Sequence, residues 1–416
     1  MSTRLARWFR RIPLLALLAG ASCPPAAQDA TGSSGETTAT AVEALGELQE
    51  GRFEEAYNLA GGVLEDAPSD ALARTVHAVA AYRGALGRLY TEALAQLQRI
   101  EQERRFDHDA WRAIFDRLEQ SLGKIDDDLA VAAEDPGLAF DLCLACWRVD
   151  WNRTGEIDES DRLLFQVEVD ANGERLSAGD PRRKPTFRFD VGDIWWARAM
   201  LAFQRAVLQL GLGYSWTDLD RFVVGAGDEP PEFRLRVRDA DRIRRARDLL
   251  LAGLDHAERA RTEYLAETDD EREWVPNPRQ LDHPLPLPVD DALYDTWDRV
   301  VKAVRRLLRS EEGLDVAEIA QLGDDRWDDP PRGHIDLGRF LGQPADVLVD
   351  FEHLEALGDD QTRANAEQVL RDLFGEAYVT DMEPSSLPRE LMRMRDEVES
   401  GSESLETKLR YLLWIN

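Results

Sequence analysis

The stretch that decides the fold class runs from Gly51 to Asp70 and reads GRFEEAYNLAGGVLEDAPSD. Gly51 suits a tight turn between two helices, because glycine has no side chain to oppose the required backbone geometry. Phe53 and Ala56 follow at the spacing of one helical face, and Pro68 ends the helix. The pattern predicts two antiparallel helices that approach closely through small residues.

This stretch resembles the second half of a tetratricopeptide repeat. The next unit, Asp70 to Leu97, repeats the pattern, with Gly87 in a turn and Tyr90 and Ala93 behind it. Residues 109–148 are expected to add a third helical pair. The resemblance implies stacked helical hairpins whose surface binds protein partners.

Apolar residues at helical spacing continue through most of the remaining chain. The segment from Arg188 to Tyr214 is apolar on nearly all sides, which is typical of a buried helix. Asp239 precedes a long amphipathic pattern. Further helical patterns occupy 290–309, 362–374, 388–398 and 404–414. The chain is therefore predicted to be mainly α.

Oxygen-bearing side chains at alternate positions mark the stretch from Val149 to Asp161, VDWNRTGEIDESD. A hard divalent cation requires six to eight oxygen ligands, and Gly155 permits the sharp turn that a ligand loop needs. Ile157 is expected to lie under the loop. The predicted ligands are Asp150, Asn152, Thr154, the backbone carbonyl of Glu156, Asp158 and Asp161.

The twelve residues from Asp150 to Asp161 resemble the calcium loop of an EF-hand, which implies Ca²⁺ as the cofactor and a helix on each side of the loop. Asp161 stands where that family has glutamate. Its shorter arm implies weak binding, about 10⁻⁴–10⁻³ M, and makes Mg²⁺ a possible competitor. A degenerate loop without an ion is the alternative.

A partner loop is not evident. The frame from Asp328 to Arg339 has Pro330, Arg332 and Arg339 at ligand positions, and arginine repels a cation. This frame is predicted to be a turn before a helix.

The first residues have the layout of a secretory signal. Four arginines precede an apolar run from Ile12 to Ala19, which is too short to span a membrane. LLAGASC then resembles a bacterial lipobox, although Gly20 departs from it, so residues 1–22 are predicted to be removed and Cys23 to carry lipid. Ordinary cleavage after Ala21 is the alternative. Residues 23–39 are rich in Ala, Thr, Ser and Gly, which predicts a flexible tether.

The composition excludes two classes of partner. The chain has 81 acidic and 51 basic residues, a formal net charge of −30. A surface of that sign repels nucleic acid and anionic lipid headgroups. Contact with a membrane is therefore expected only through the lipid anchor.

Cys143 and Cys146 lie just before the predicted calcium loop. Their spacing suits a redox pair or two zinc ligands, but neither a second cysteine pair nor a suitable histidine follows. Two core cysteines, or one local disulfide formed after export, are expected instead. The six histidines show no metal-binding spacing.

Three further stretches are expected to have a structural role. The seven arginines between 234 and 247 are expected to pair with surrounding acids, with an anionic partner as the alternative. Trp195 and Trp196 are expected in the core, although they could line a pocket. Residues around Asn172–Gly173 fit either an exit helix or a hairpin.

These features define a function and a domain order. We expect an extracytoplasmic calcium-binding helical scaffold of the cell envelope, periplasmic or anchored in the outer membrane. No catalytic motif is present, so it is not expected to be an enzyme; a helical hydrolase with a purely structural calcium ion is the alternative. The predicted units are a signal at 1–22, a tether at 23–39, tetratricopeptide-like hairpins at 40–135, an EF-hand-like helix-loop-helix at 136–170, a helical domain at 171–275, a proline-rich connector at 276–289 and a helical region at 290–416.

Overall fold

The computed structural model describes most of the chain beyond Thr40. The described residues are 40–103, 106–147, 156–157, 167–168, 170, 174–217, 232–281, 283, 289–320, 332–350, 352–353, 363–375 and 382–399. The predicted signal and tether, Cys23 and the helix predicted at 404–414 lie outside these residues.

Helices dominate the described residues, so the predicted mainly α fold is confirmed. They are α1 Ala41–Gln49, α2 Phe53–Asp66, α3 Ala71–Glu103, α4 His108–Ala132, α5 Val191–Gly213, α6 Ala240–Ala266, α7 Asp291–Leu308, α8 Val316–Ala320, α9 Leu337–Gly342, α10 Arg363–Phe374 and α11 Leu387–Glu399. Helices α1 to α6 pack in chain order, each against the next, and the interface between α5 and α6 is the most extensive. No described helix is both long and apolar enough to cross a membrane.

The predicted turn at Gly51 is confirmed. Gly51 joins α1 to α2 with a positive φ of 74°, a conformation that favours glycine. Ala44, Ala56 and Ala60 are fully buried where the helices meet, because small side chains let two backbones approach closely. Helix α2 ends at Asp66, two residues before Pro68.

The predicted turn at Gly87 is wrong. Helix α3 runs unbroken from Ala71 to Glu103, with Gly87 buried inside it. An interior glycine costs about 1 kcal/mol relative to alanine, and the apolar face of α4 offsets this by packing along α3 on both sides of Gly87. The third helical pair is wrong as well, since α4 is a single helix that ends at Ala132 and a strand follows.

Three small antiparallel sheets connect the helical layers. The strands are β1 Ala139–Leu142, β2 Phe187–Asp190, β3 Glu232–Leu235, β4 Leu314–Asp315, β5 His334–Ile335 and β6 Val347–Asp350. Strand β1 pairs with β2, β3 with β6 and β4 with β5. Residue Ala139 lies opposite Asp190 and Leu142 opposite Phe187, so the β1–β2 sheet ends where α5 begins.

Helix α6 starts where the sequence indicates, whereas α5 starts at Val191 and not at Arg188 as predicted, because Phe187–Asp190 pair with β1 as strand β2. Asp190 and Asp239 cap the first turns of α5 and α6 with side-chain oxygens that accept backbone N–H groups. Trp195 and Trp196 are partly buried and pack against the core, as expected. The rings of Trp196 and Trp297 lie 5.1 Å apart between α5 and α7.

Alanine substitutions at two glycines in helix interiors are expected to have opposite effects on the free energy of unfolding. A Cβ on Gly253 in α6 would lie 2.4 Å from the Phe203 ring in α5, so Gly253→Ala should destabilise the protein by about 1–2 kcal/mol through overpacking. A Cβ on Gly61 in α2 meets no atom within 4 Å, so Gly61→Ala should stabilise it by up to about 1 kcal/mol. Urea unfolding of both variants checks this; equal effects would contradict the α5–α6 packing.

Three predictions about loops and turns agree with the structure. Backbone bonds join Leu176 to Glu168 and Asp170 to Glu174 across Asn172–Gly173, so the hairpin alternative is confirmed. The described residues of the connector, 276–281, 283 and 289, are not helical. Asp336 caps α9, in agreement with the turn predicted before a helix.

The arginine-rich segment pairs with acids, as expected. Arg242 forms an ion pair of 2.8 Å with Asp116 of α4. Arg244 pairs with Asp241 at 2.5 Å. Pairing with acids is therefore confirmed for Arg242 and Arg244 of the seven arginines, and Arg247 donates to the backbone carbonyl of Leu308.

Candidate functional site

Most of the predicted calcium loop lies outside the described residues. This applies to Asp150, Asn152, Thr154, Asp158 and Asp161, while Glu156 is described and exposed. Ile157 is 41% exposed, so the prediction that it is covered beneath the loop is wrong. The calcium loop itself stays a prediction.

The helix predicted before this loop is absent. Residues 139–142 form β1, and a short 3₁₀ turn spans Leu144–Cys146. A disulfide joins Cys143 to Cys146 across this turn, with Cα atoms 5.2 Å apart. Pairing of β1 with β2 and the closed turn leave no helix here, so the helix-loop-helix prediction for 136–170 is wrong in its first half. Of the alternatives for the two cysteines, the local disulfide is present.

A group of acidic side chains meets between the start of α5 and the end of α6. We refer to it as the carboxylate cluster, and it consists of Asp190, Asp193, Glu267, Asp269 and Glu273. Carboxylate oxygens of Asp190, Glu267 and Glu273 all lie within 4.8 Å of one another. Asp190 ends β2, Glu267 follows α6, and Glu273 lies in a segment that pairs with β2 through Arg188.

The first turn of α5 fixes the two aspartates. The Asp190 carboxylate accepts the backbone N–H of Gly192 at 2.6 Å, and the Asp193 carboxylate accepts the N–H of Asp190 at 3.0 Å. This reciprocal arrangement is a capping box. The Tyr264 hydroxyl donates to the other Asp193 oxygen at 3.0 Å. Tyr264 belongs to α6, so this bond joins the two helices at the cluster.

The remaining acids form two carboxyl–carboxyl contacts. Glu267 lies within hydrogen-bonding distance of Asp190, and Glu273 within hydrogen-bonding distance of Asp269. Gln280 donates to Glu267 Oε2 at 3.1 Å, whereas the buried Glu267 Oε1 accepts no hydrogen bond. Each contact brings together two groups that are negative when ionised.

Burial and mutual repulsion raise the pKa values of these acids. Burial, followed by the neighbouring Asp190, raises the pKa of Glu267 to about 10 and that of Glu273 to about 7. The same two causes hold the pKa of the Asp193 carboxyl well above its usual range. The charged forms therefore need neutralisation by protons or by a cation.

The surroundings concentrate negative potential on the cluster. Tyr264, which donates to Asp193, and Trp274, which follows Glu273, belong to a hydrophobic core cluster beside these acids, and apolar surroundings strengthen electrostatic interactions. Asp190 and Glu267 are partly exposed, and Asp269 is exposed. Glu267 is the C-cap residue of α6, at the helix end that carries a partial negative charge. Arg188, whose charge acts against the rise in the pKa of Glu273, forms ion pairs with Asp141 at 3.3 Å and Glu271 at 3.7 Å.

Sequence reasoning did not identify this cluster. Its signals are the paired aspartates in RFDVGD, 188–193, and the acidic run ETDDERE, 267–273, directly before Trp274 and Val275. Neither signal stands out in so acidic a chain. The two segments lie more than 70 residues apart, and only the packing of α5 on α6 brings them together.

A second group of possible ligands lies between β6 and α10. The His353 ring nitrogen Nδ1 lies 2.7 Å from Asp372 and 3.4 Å from Asp350. The hydrogen bond to Asp372 raises the pKa of His353. This geometry is that of a histidine–carboxylate ion pair between two elements, and the sequence spacing did not predict it.

Comparisons of the chain with protein-family models, curated proteins and solved structures find no match.

Proposed function

We propose that the protein is an exported, calcium-binding helical scaffold of the cell envelope, anchored through lipid on Cys23 and binding protein partners on its helical hairpins. The observation that carries the proposal is the disulfide between Cys143 and Cys146. Disulfides persist in oxidising compartments and are rare in the bacterial cytosol. Cys146 is exposed, so a reducing environment would have access to this bond.

The helical framework supports a binding role. Helices α1 to α6 stack in order, and the first hairpin closes at Gly51 as the tetratricopeptide resemblance implies. The predicted calcium loop begins four residues after Cys146, so the disulfide lies shortly before it in the sequence. Calcium at Asp150–Asp161 would stabilise this junction.

The hydrolase alternative has less support. Buried carboxyls with raised pKa values also occur in acid–base catalysis. Glu273 and Asp193 are only 4% and 7% exposed, so a substrate would reach neither carboxyl without an opening of the surrounding structure. Binding of a small cation demands no such opening.

We expect the disulfide and the lipid anchor to appear together when the full chain is expressed in a bacterium with a periplasm. Cys143 and Cys146 should resist a thiol-alkylating reagent until they are reduced, and mass spectrometry should find a lipidated N-terminus at Cys23. Both cysteines alkylated without reduction, in a cytosolic fraction, would contradict export. An unlipidated N-terminus at Ser22 would contradict the anchor alone.

A further inference from the structure

We propose that the disulfide between Cys143 and Cys146 exchanges reversibly with thiols in solution, and that Cys146 is the sulfur that an incoming thiolate attacks. Two observations support this activity: one end of the bond is accessible, and the turn that the bond closes is held in place by other contacts. The inference goes beyond the proposed function, because exchange at this disulfide requires neither bound calcium nor a lipid anchor.

The two cysteines differ in their exposure to solvent. Cys146 is exposed, whereas Cys143 is partly buried, and the Cys143 Sγ lies 3.7 Å from the backbone carbonyl oxygen of Lys184. Exchange begins when a thiolate attacks one sulfur of the disulfide, so its course depends on which sulfur the thiolate can reach. Attack is therefore expected at Cys146, and Cys143 is the sulfur that leaves.

The 3₁₀ turn between the cysteines is held by contacts that do not involve the sulfur atoms. The backbone N–H of Cys146 donates to the Cys143 carbonyl at 3.0 Å. Ala145 and Trp147 are only 2% and 3% exposed, and the Trp147 ring packs edge-on against the Phe53 ring of α2 at 5.3 Å. Reduction would therefore leave the two thiols side by side, which favours re-formation of the bond.

The disulfide closes a very short loop, and this limits how much it stabilises the fold. The two cysteines are three residues apart, and the entropic stabilisation that a disulfide provides falls as the closed loop shortens. On the N-terminal side, β1 is already anchored by its pairing with β2. Because the fold depends little on the bond, both the oxidised and the reduced protein should be folded, as reversible exchange requires.

The exchange proceeds in two steps that conserve atoms and electrons. In the first step, a thiolate attacks Cys146 Sγ, the bond between the cysteine sulfurs breaks, and its electron pair goes to Cys143 Sγ. That sulfur takes up the proton released by the incoming thiol, and the new thiol donates to the Lys184 carbonyl. In the second step, another thiolate attacks the incoming sulfur in the mixed disulfide and releases Cys146, which is protonated in turn. The protein is reduced by two electrons while two thiols are oxidised to one disulfide.

The first test equilibrates the full chain, without denaturant, in millimolar glutathione at several ratios of the reduced to the oxidised form. After acid quenching and alkylation, mass spectrometry of the peptide that holds Cys143 and Cys146 gives the reduced fraction and keeps Cys23 out of the measurement. We expect both redox forms at intermediate ratios, and a melting temperature of the reduced protein within a few degrees of the oxidised one. A bond that stays oxidised in excess reduced glutathione, as structural disulfides do, or a reduced protein without a cooperative melting transition, would overturn the inference.

A matched pair of variants tests which sulfur is attacked. Cys143→Ser and Cys146→Ser each keep one cysteine of the pair, and both should melt like the reduced wild type, so that misfolding does not explain a difference between them. With oxidised glutathione, Cys143→Ser should form a mixed disulfide at Cys146 at least about tenfold faster than Cys146→Ser forms one at Cys143, because access limits the rate. Equal rates, or a faster reaction at Cys143, would contradict attack at Cys146.

The thiol that reacts with the protein has two possible sources, a small molecule or a cysteine of another protein. Reduced glutathione and a reduced peptide with two cysteines, compared at equal thiol concentration, distinguish them by the rate at which each reduces the wild-type disulfide. A rate that increases with the concentration of either thiol supports exchange, and the faster reagent identifies the source. No reduction by either reagent would contradict the proposed activity and leave the calcium and lipid predictions unaffected.

Discussion

Replacement of Tyr264 by alanine is expected to destabilise the protein by about 3–5 kcal/mol, the range for removing a large aromatic side chain from a core. Tyr264 is 1% exposed and packs between α5 and α7, with its ring against Gly192 and Trp297. The variant leaves a cavity and also removes the hydroxyl that donates to Asp193. Urea unfolding at a fixed calcium concentration measures the change.

Two further variants separate the loss of the aromatic ring from the loss of the hydroxyl as causes of the lower stability. Tyr264→Phe keeps the ring and removes the donor, so it should cost about 1–3 kcal/mol, the penalty for a buried acceptor that loses its hydrogen bond. Tyr57→Ala is the surface control: Tyr57 stacks on His77 but is 41% exposed, and its loss should cost less than about 1.5 kcal/mol. A Tyr264→Ala variant as stable as Tyr57→Ala would contradict the packing described here.

Local signals made several elements predictable from sequence. Gly51 marks a turn because its positive φ favours glycine, and Asp239 marks the start of α6 because aspartate caps exposed backbone N–H groups. Each of these signals acts within a few residues. The boundaries of α6 and α7 follow from the chain itself, whereas the first residues of the helix predicted from Arg188 belong to β2.

Tertiary packing decided the elements that the sequence did not predict correctly. Gly87 looked like a turn because the unit resembles a repeat, yet α4 packs along α3 and keeps the helix intact. The segment before the predicted loop looked helical because Cys143 and Cys146 are one turn apart. Strand pairing with β2 and the disulfide produce a strand and a 3₁₀ turn there instead.

The carboxylate cluster shows why a site can escape sequence analysis in an acidic chain. With 81 acidic residues, the chance that two carboxylates fall close together in sequence is high, so such pairs carry little information. The informative property is burial, which distinguishes Glu273 from its exposed neighbour Glu271. Burial depends on how α5, α6 and the Trp274 segment pack.

The chelator-treated protein should lose stability as the pH rises from about 5 to about 8. Glu273 has an ordinary pKa of 4.5 that rises to about 7 in the folded state. Between these values the folded state holds a proton that the unfolded state has released, so each increase in pH favours unfolding. Glu267 acts in the same direction, from 4.5 towards about 10. Both groups therefore make the folded state less stable as the pH rises.

Melting temperatures across this pH range, measured with excess chelator, test the sign and the source of the effect. Glu273→Gln should flatten the wild-type curve between about pH 5 and 7, because the amide does not titrate, while Glu271→Gln should follow the wild type. The hydrogen bond to Asp372 raises the pKa of His353 above its usual value of 6.5. The folded state therefore also loses stability through His353 as the pH rises, but only above that value. We expect His353→Gln to alter the curve mainly above pH 6.5. Equal slopes of the wild-type and Glu273→Gln curves between about pH 5 and 7 would show that Glu273 is ionised in the folded protein without cost, and would contradict its raised pKa.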